Sequence, residues 1–150
     1  PGKKFKFGGI PTFAPEHFSR VSPRDSMKRK QFIKGTEQIA QEGTIQIFKL
    51  PNSGMEEVIV GVVGTLQFDV FQYRMKSEYG VDLRMEGLPY EHLRFIAKSP
   101  VEDLKDLNLS SDVELLEDYR GHSLLVFSSL WSIDYTIKRN PGLELSETLN

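Results

Sequence analysis

An apolar strand, a glycine turn and a helix follow one another in the middle of the chain, and this order limits the folds open to it. Residues 58–63 are almost entirely apolar, which is typical of a central strand covered on both faces. Gly64 separates this strand from a predicted helix, residues 65–79. Gly80 ends the helix before another predicted strand, residues 81–85. The side chains expected to be buried in the helix are Leu66, Val70, Phe71 and Met75.

The preceding residues supply the other elements of a βαββαβ unit. Strands are predicted over residues 13–21 and 44–50, and between them a helix begins near Asp25 and ends before Gly43. Right-handed crossovers place the first and third strands in the centre of an antiparallel sheet, with both helices on one face. We therefore predict an α+β fold with a ferredoxin-like plait over residues 11–88.

The second half repeats this order of elements without a matching side-chain pattern. Gly87-Leu88-Pro89 divides the halves, so a second βαββαβ-like unit is predicted over residues 89–150, and residues 1–10 form a leading segment. The strands predicted in this unit are residues 92–98, 113–119, 123–127 and 143–146, and the helices are residues 101–107 and 131–139.

The composition indicates a reducing compartment and an uneven charge. The absence of cysteine from the 150 residues excludes disulfides and thiolate metal sites and favours the cytoplasm. No apolar run approaches the ~20 residues of a membrane span, so no membrane partner is predicted. Residues 1–34 contain nine basic and two acidic side chains, whereas residues 86–120 contain nine acidic and four basic ones. This asymmetry allows a basic face to contact RNA, although ordinary solvated faces give the same pattern.

No pattern predicts catalytic, cofactor or metal chemistry within the chain. The three histidines, His17, His92 and His122, are isolated and lack metal-ligand spacing. The spacing Gly61-Val62-Val63-Gly64 lacks the lysine that a phosphate-binding loop places after its glycines. The chain is therefore not predicted to hydrolyse a nucleotide.

RNA binding is predicted through phosphates and not through the sheet face. A βαββαβ sheet can stack bases on aromatic side chains of its central strands, but residues 58–63 include no aromatic residue. The remaining mode of RNA binding is contact between phosphates and basic residues of the helices, although such residues are common on any protein surface. The candidate contacts are Arg24, Lys28, Arg29, Lys30, Lys34, Arg74 and Lys76.

Three blocks of sequence resemble one protein family. They are GIPTFAPE at residues 9–16, KRKQFIKG at residues 28–35 and VGTLQFDV at residues 63–70. In these blocks the chain resembles the C-terminal region, domain III, of bacterial peptide chain release factor 3, a translational GTPase. The first half is also similar to domain III of elongation factor G, which has a Glu and a His where this chain has Thr65 and Gln67.

The resemblance implies a ribosome-docking domain of a translation termination factor, cut from a longer protein. The resemblance also implies that, in the intact factor, GTP binding drives the removal of class I release factors from the ribosome. The implied partners are ribosomal RNA and protein and the GTPase and β-barrel domains of the same factor, and no DNA is expected. Residues 1–10 are then a remnant of the barrel domain, and GTP and Mg²⁺ belong to a domain outside this chain.

A free-standing regulatory plait is the alternative. Such a domain binds a small ligand or dimerises through its sheet. A ligand that shifts the melting curve, or a stable dimer at low micromolar concentration, favours this alternative.

Overall fold

The first half of the chain folds in the order βαββαβ. The structure, a computed structural model, describes residues 14–51 and 53–148. The strands are antiparallel in the order β4-β1-β3-β2, so β1 and β3 are central, as predicted. The elements are β1 (His17–Pro23), α1 (Arg29–Gln41), β2 (Gln46–Lys49), β3 (Val58–Val62), α2 (Leu66–Tyr79) and β4 (Leu83–Leu88).

The second half adds four more strands to the same sheet. They take the order β6-β7-β5-β8 and are also antiparallel. The halves join where β2 pairs with β6, at Phe48 opposite Asp118 and Lys49 opposite Glu117. The fold is therefore α+β with one eight-stranded sheet. The elements are β5 (His92–Lys98), β6 (Val113–Asp118), β7 (Ser123–Phe127), α3 (Leu130–Arg139) and β8 (Glu144–Ser146).

Local sequence explains where the first two helices end and how they pack. Gly43 and Gly80 have φ angles of 89° and 70°, a left-handed conformation that glycine adopts without strain. The helices approach closely at Gly35, where an added Cβ would lie 2.7 Å from the Tyr79 ring and 2.8 Å from Met75 Sδ. A glycine at this position therefore sets the distance between α1 and α2.

Both faces of the sheet are buried. Val21, Val60 and their neighbours pack under α1 and α2, whereas Leu125 and Phe127 pack under α3. Because side chains alternate along a strand, the residues between these positions point to the other face. On this other face, side chains from both halves of the chain form one buried cluster: Phe18, Phe48, Ile59, Tyr90, Leu93, Leu116, Leu124 and Val126. The face of each half that has no helix is thus covered by the other half.

Phe18 lies at the centre of this shared cluster. Its ring centroid is 6.1 Å from that of Phe48 and 6.4 Å from that of Tyr90, the latter in an edge-on geometry. The Tyr90 hydroxyl donates a hydrogen bond to Glu114 Oε1 at 3.2 Å. Burial, together with the Glu114 carboxylate, raises the pKa of Tyr90 to about 12. The halves therefore share an aromatic core as well as a sheet.

Some sequence-based predictions differ from the structure. Leu66 and Val70 were expected in the core, but Leu66 is 71% exposed and Val70 is about half exposed. They lie on the outer face of α2, while Phe71 and Met75 fill the inner face as predicted. The helix predicted over residues 101–107 is only a 3₁₀ turn, Leu104–Asp106. The beginning of the first predicted strand, and residues 1–10, lie outside the described residues.

Candidate functional site

The start of α1 places basic side chains at the positive end of a helix. A short 3₁₀ turn, Ser26–Lys28, leads into α1, and Asp25 Oδ1 accepts a hydrogen bond from the Met27 amide at 2.9 Å. Arg29 and Lys30 follow, and the first turn of α1 holds no acidic side chain. Cations at this end are unfavourable by about 0.3–1 kcal/mol each. The helix dipole favours an anion at this end, so a bound phosphate would relieve the repulsion.

Four basic side chains form what we call the α1 basic surface: Lys28, Arg29, Lys30 and Lys34. Arg29, Lys30 and Lys34 are exposed, and Lys28 is partly exposed. Arg29 Nη1 lies 3.9 Å from Glu56 Oε1, an ion pair that is long and solvated. The three lysines form no ion pair within residues 14–51 and 53–148. The surface is therefore free to meet an anionic partner.

Arg24 and Lys76 line an open groove of about 550 Å³ between α2 and the ends of β1 and β4. Arg24 Nε donates a hydrogen bond to the Leu83 carbonyl oxygen at 3.1 Å. Lys76 Nζ lies 3.0 Å from Asp82 Oδ1, and both of these side chains are largely exposed. Tyr73 lines the groove with 72% of its surface exposed. The groove is lined by acidic as well as basic side chains, whereas the α1 basic surface consists of basic side chains alone.

Arg74 connects the two helices of the first half. Its Nε donates to Glu78 Oε2 at 2.8 Å, and its Nη2 donates to Glu42 Oε2 at 2.9 Å. The hydrogen bond with Glu42 is the main cause of a raised pKa at Arg74, and hydrogen bonds from Arg74 lower the pKa of both carboxyl groups. The structure thus gives Arg74 two carboxylate partners, and we leave it out of the α1 basic surface.

Sequence comparison gives the family. Residues 7–137 match the model of the family described as "Class II release factor RF3, C-terminal domain". The chain belongs to this family. It is 41% identical over 142 residues to peptide chain release factor 3 of Symbiobacterium thermophilum, covering 95% of this chain and 26% of that protein. It is 36% identical over 146 residues to the Gloeobacter violaceus factor, covering 97% and 28%, and 38% identical over 147 residues to the Listeria welshimeri factor, covering 98% and 27%.

Family membership has two direct consequences. The resemblance seen in the sequence is confirmed, and it makes this chain a domain of a translation termination factor. The chain spans about a quarter of the length of the release factors that it matches.

The release-factor domain also carries an exposed aromatic feature that the sequence analysis missed. Trp131 stacks on Tyr135, with ring centroids 4.8 Å apart and an interplanar angle of 15°. Arg139 lies over the Tyr135 ring, with its Cζ 5.4 Å from the ring centroid. We call these three residues the aromatic ladder. Their spacing of four residues on α3 was visible in the sequence and could have revealed them.

Asp112 fixes the first turn of α3. Its carboxylate accepts hydrogen bonds from the hydroxyls of Ser110 at 2.6 Å, Ser128 at 2.8 Å and Ser132. These hydrogen bonds, that of Ser110 first, lower the pKa of Asp112 to about 2. Every member of the group is satisfied by another member, so the group stabilises the start of α3.

Replacing Asp112 by asparagine is expected to lower the free energy of unfolding by about 1–2 kcal/mol at neutral pH, because charge-assisted hydrogen bonds are lost. The folded pKa lies below the unfolded value of about 3.9, so the stabilisation is present above that value and is lost as pH falls through about 2. Chemical denaturation from pH 7 to pH 2 measures the difference, with Asp134→Asn as the exposed control. A difference that does not shrink on acidification contradicts this role.

The described residues offer no candidate metal site. No group of three or more His, Asp or Glu side chains within residues 14–51 and 53–148 is placed to hold a metal ion. His122 Nδ1 lies 2.9 Å from Asp118 Oδ2 in the turn between β6 and β7, as part of a local hydrogen-bond network. In the same part of the chain, no helix is long and apolar enough to cross a bilayer.

Proposed function

We propose that this domain docks its parent termination factor on the ribosome, with the α1 basic surface against RNA phosphates. The cation-rich start of α1, which has no neutralising acid in its first turn, is the observation that carries the proposal. The parent is proposed to be a GTPase that removes class I release factors after peptide release. GTP and Mg²⁺ then bind outside this chain, the GTPase and barrel domains are its neighbours, and the cytoplasm is the compartment.

The chemistry of the α1 basic surface suits phosphate recognition without sequence specificity. Lysine offers a compact charge on a flexible stem, and three of the four side chains are lysines. Such contacts release counterions from RNA, so they set the orientation and the salt dependence of binding. Arg24 and Lys76, at the groove beside α2, extend the proposed contact where RNA reaches that far.

The shared core suits a docking domain that transmits force. The first half bears the α1 basic surface, and the second half is joined to it through β2–β6 pairing and through one buried cluster. We therefore expect the two halves to move as one rigid body when either of them is displaced. In the alternative function, dimerisation uses the open sheet face, but each open face is already covered by the other half of the same chain.

Reversing Lys28, Arg29, Lys30 and Lys34 to glutamate in the full-length factor is expected to weaken ribosome binding about tenfold or more at low salt. The slope of log affinity against log salt concentration is expected to lose about 0.7–0.9 for each phosphate contact removed. Sedimentation of the factor with purified ribosomes over a salt series measures both quantities. All four side chains are at least partly exposed, so the fold is expected to be retained.

The matched control reverses four exposed basic residues of the second half: Lys98, Lys105, Arg120 and Lys138. The control and the test variant change the net charge equally, so general repulsion from RNA is the same in both. An unchanged slope in the test variant, or an equal loss in the control, contradicts the RNA contact. A ligand-shifted melting curve for the isolated chain, with no ribosome binding by the parent, favours the regulatory alternative.

A further inference from the structure

One face of α2 carries apolar side chains that remain exposed in the described part of the chain. Leu66, Val70 and Tyr73 are spaced four and three residues apart, so they share one face of the helix, and we call them the α2 apolar stripe. Leu66 is 71% exposed, Val70 49% and Tyr73 72%, whereas Phe71 and Met75 fill the opposite face. Single exposed apolar residues are ordinary, but a row of three on one helix face is typical of a surface that contacts another protein element.

The stripe begins where the chain enters the domain. The Glu16 amide donates a hydrogen bond to the Val62 carbonyl oxygen at 2.9 Å, so the residues just before β1 lie against the last residue of β3. Val63 follows and is 37% exposed, and α2 begins soon after it, at Leu66. Whatever precedes residue 14 is therefore joined to the domain beside the first turn of α2.

The relatives indicate how much protein is joined there. The matched family is that of a C-terminal domain, and the chain spans 26–28% of the release factors to which it is similar. Most of a factor of that length then precedes this domain in the same polypeptide. A covalent connection gives the domain immediately before it a local concentration on the order of millimolar, so a small interface suffices for the two to pack together.

The polar surroundings of the stripe favour a protein surface over RNA. Tyr73 also lines the groove beside α2, together with two basic and two acidic side chains: Arg24, Lys76, Asp69 and Asp82. These formal charges cancel, so phosphates are attracted less here than at the α1 basic surface, where all four side chains are basic. An apolar centre with a polar rim of both charges is typical of interfaces between the domains of one chain.

We infer that the α2 apolar stripe packs against an apolar patch on the domain that immediately precedes it in its own factor, the proposed β-barrel domain. This inference rests on the proposed function, which makes the barrel a neighbour, and it assigns the contact to named residues. Val70 lies in the centre of the contact, and Leu66 and Tyr73 flank it. RNA contact through α1 and packing against the barrel through α2 then use different helices, so the two do not compete for the same side chains.

A photocrosslinking residue in place of Tyr73 in the purified full-length factor tests the inference. We expect it to attach to the barrel domain of the same polypeptide, with a yield that does not depend on protein concentration. Adding Leu66→Asp and Val70→Asp is expected to reduce that yield about tenfold, because two carboxylates then face an apolar surface. The matched control adds the same charge at two exposed positions of α1, Gln31→Asp and Gln41→Asp, and is expected to leave the yield unchanged. All four positions are exposed, so the fold is expected to be retained.

The other outcomes separate this inference from the proposed function. A crosslink to a second copy, whose yield rises with protein concentration, overturns the inference, and so does a crosslink to the GTPase domain, the absence of any crosslink, or a yield that the two aspartates on α2 leave unchanged. In each of these cases the charge reversal on α1 still weakens ribosome binding, and the proposed function stands. If the α1 reversal leaves ribosome binding unchanged while the Tyr73 crosslink to the barrel forms, the RNA contact is overturned and the packing between domains stands.

Discussion

Phe18→Ala is expected to lower the free energy of unfolding by about 3–5 kcal/mol, the largest effect of any single substitution proposed for this domain. Phe18 is 2% exposed and packs against Phe48 and Tyr90, so truncation removes apolar burial and leaves a cavity between the two halves. Urea or thermal unfolding followed by circular dichroism measures the loss. His17→Ala, at the exposed neighbouring position of β1, is expected to change stability by less than about 0.5 kcal/mol.

The shape of the transition is as informative as its midpoint. Because Phe18 contributes to a cluster that includes Leu116 and Leu124 of the second half, the whole domain is expected to unfold in one step. Probes in the two halves should then report the same midpoint in the wild type and in the variant. Two separate transitions, with only the first shifted, would show that the halves fold independently.

The strands and helices could be predicted because local patterns determine them. Phe32 and Ile39 lie on the inner face of α1 at helical spacing, and the fully apolar β3 indicated a central strand. Gly43 and Gly80 ended both helices of the first half at the predicted places. These features depend on neighbours within a few residues, which is the range that sequence periodicity describes.

The contacts between distant segments could not be predicted in this way. Alternation along β1 shows that Phe18 and Val21 point to opposite faces, but it does not identify what covers each face. Arg74 meets Glu42 across 32 residues of sequence, and from the sequence alone it was grouped with the phosphate contacts. Leu66 and Val70 were placed in the core because apolar residues usually are, although Phe71 and Met75 already filled that side of α2.

The backbone conformation of residues 101–107 also could not be predicted from local sequence patterns. Val101 and Leu104 have helical spacing, and both pack on the core below α3, so the pattern correctly marked buried positions. The backbone nevertheless forms only a 3₁₀ turn, and nearby side chains bind its amides: Ser99 Oγ accepts from the Val101 amide at 3.1 Å and Asp103 Oδ1 from the Lys105 amide at 3.0 Å. The Asn108 amide and carbonyl both bond to the side chain of Asn140, at 2.7 Å and 2.9 Å. A distant asparagine thus holds the backbone just after the turn against the end of α3.

Asn140→Ala is therefore expected to lower the free energy of unfolding by about 2–4 kcal/mol. Asn140 is 4% exposed, and its amide also donates to the Thr136 carbonyl oxygen at 2.8 Å, so its side chain satisfies three backbone groups. Alanine leaves the buried Thr136 carbonyl and the part-buried Asn108 amide and carbonyl without these partners, and their desolvation cost is then only partly compensated. Chemical denaturation gives the size of the loss, and amide hydrogen exchange at Asn108 gives its location.

Asn108→Ala is the matched control for this prediction. The side chain of Asn108 is exposed and makes one long hydrogen bond, Nδ2 to the Arg139 carbonyl oxygen at 3.4 Å, whereas its backbone amide and carbonyl, which Asn140 binds, are kept. Its replacement is expected to cost less than about 1 kcal/mol. Asn140→Asp keeps the acceptor for the Asn108 amide but sets a buried carboxylate oxygen against two carbonyl oxygens, so its cost should be at least that of Asn140→Ala. Equal losses for Asn108→Ala and Asn140→Ala would show that the 101–110 segment is held by packing alone.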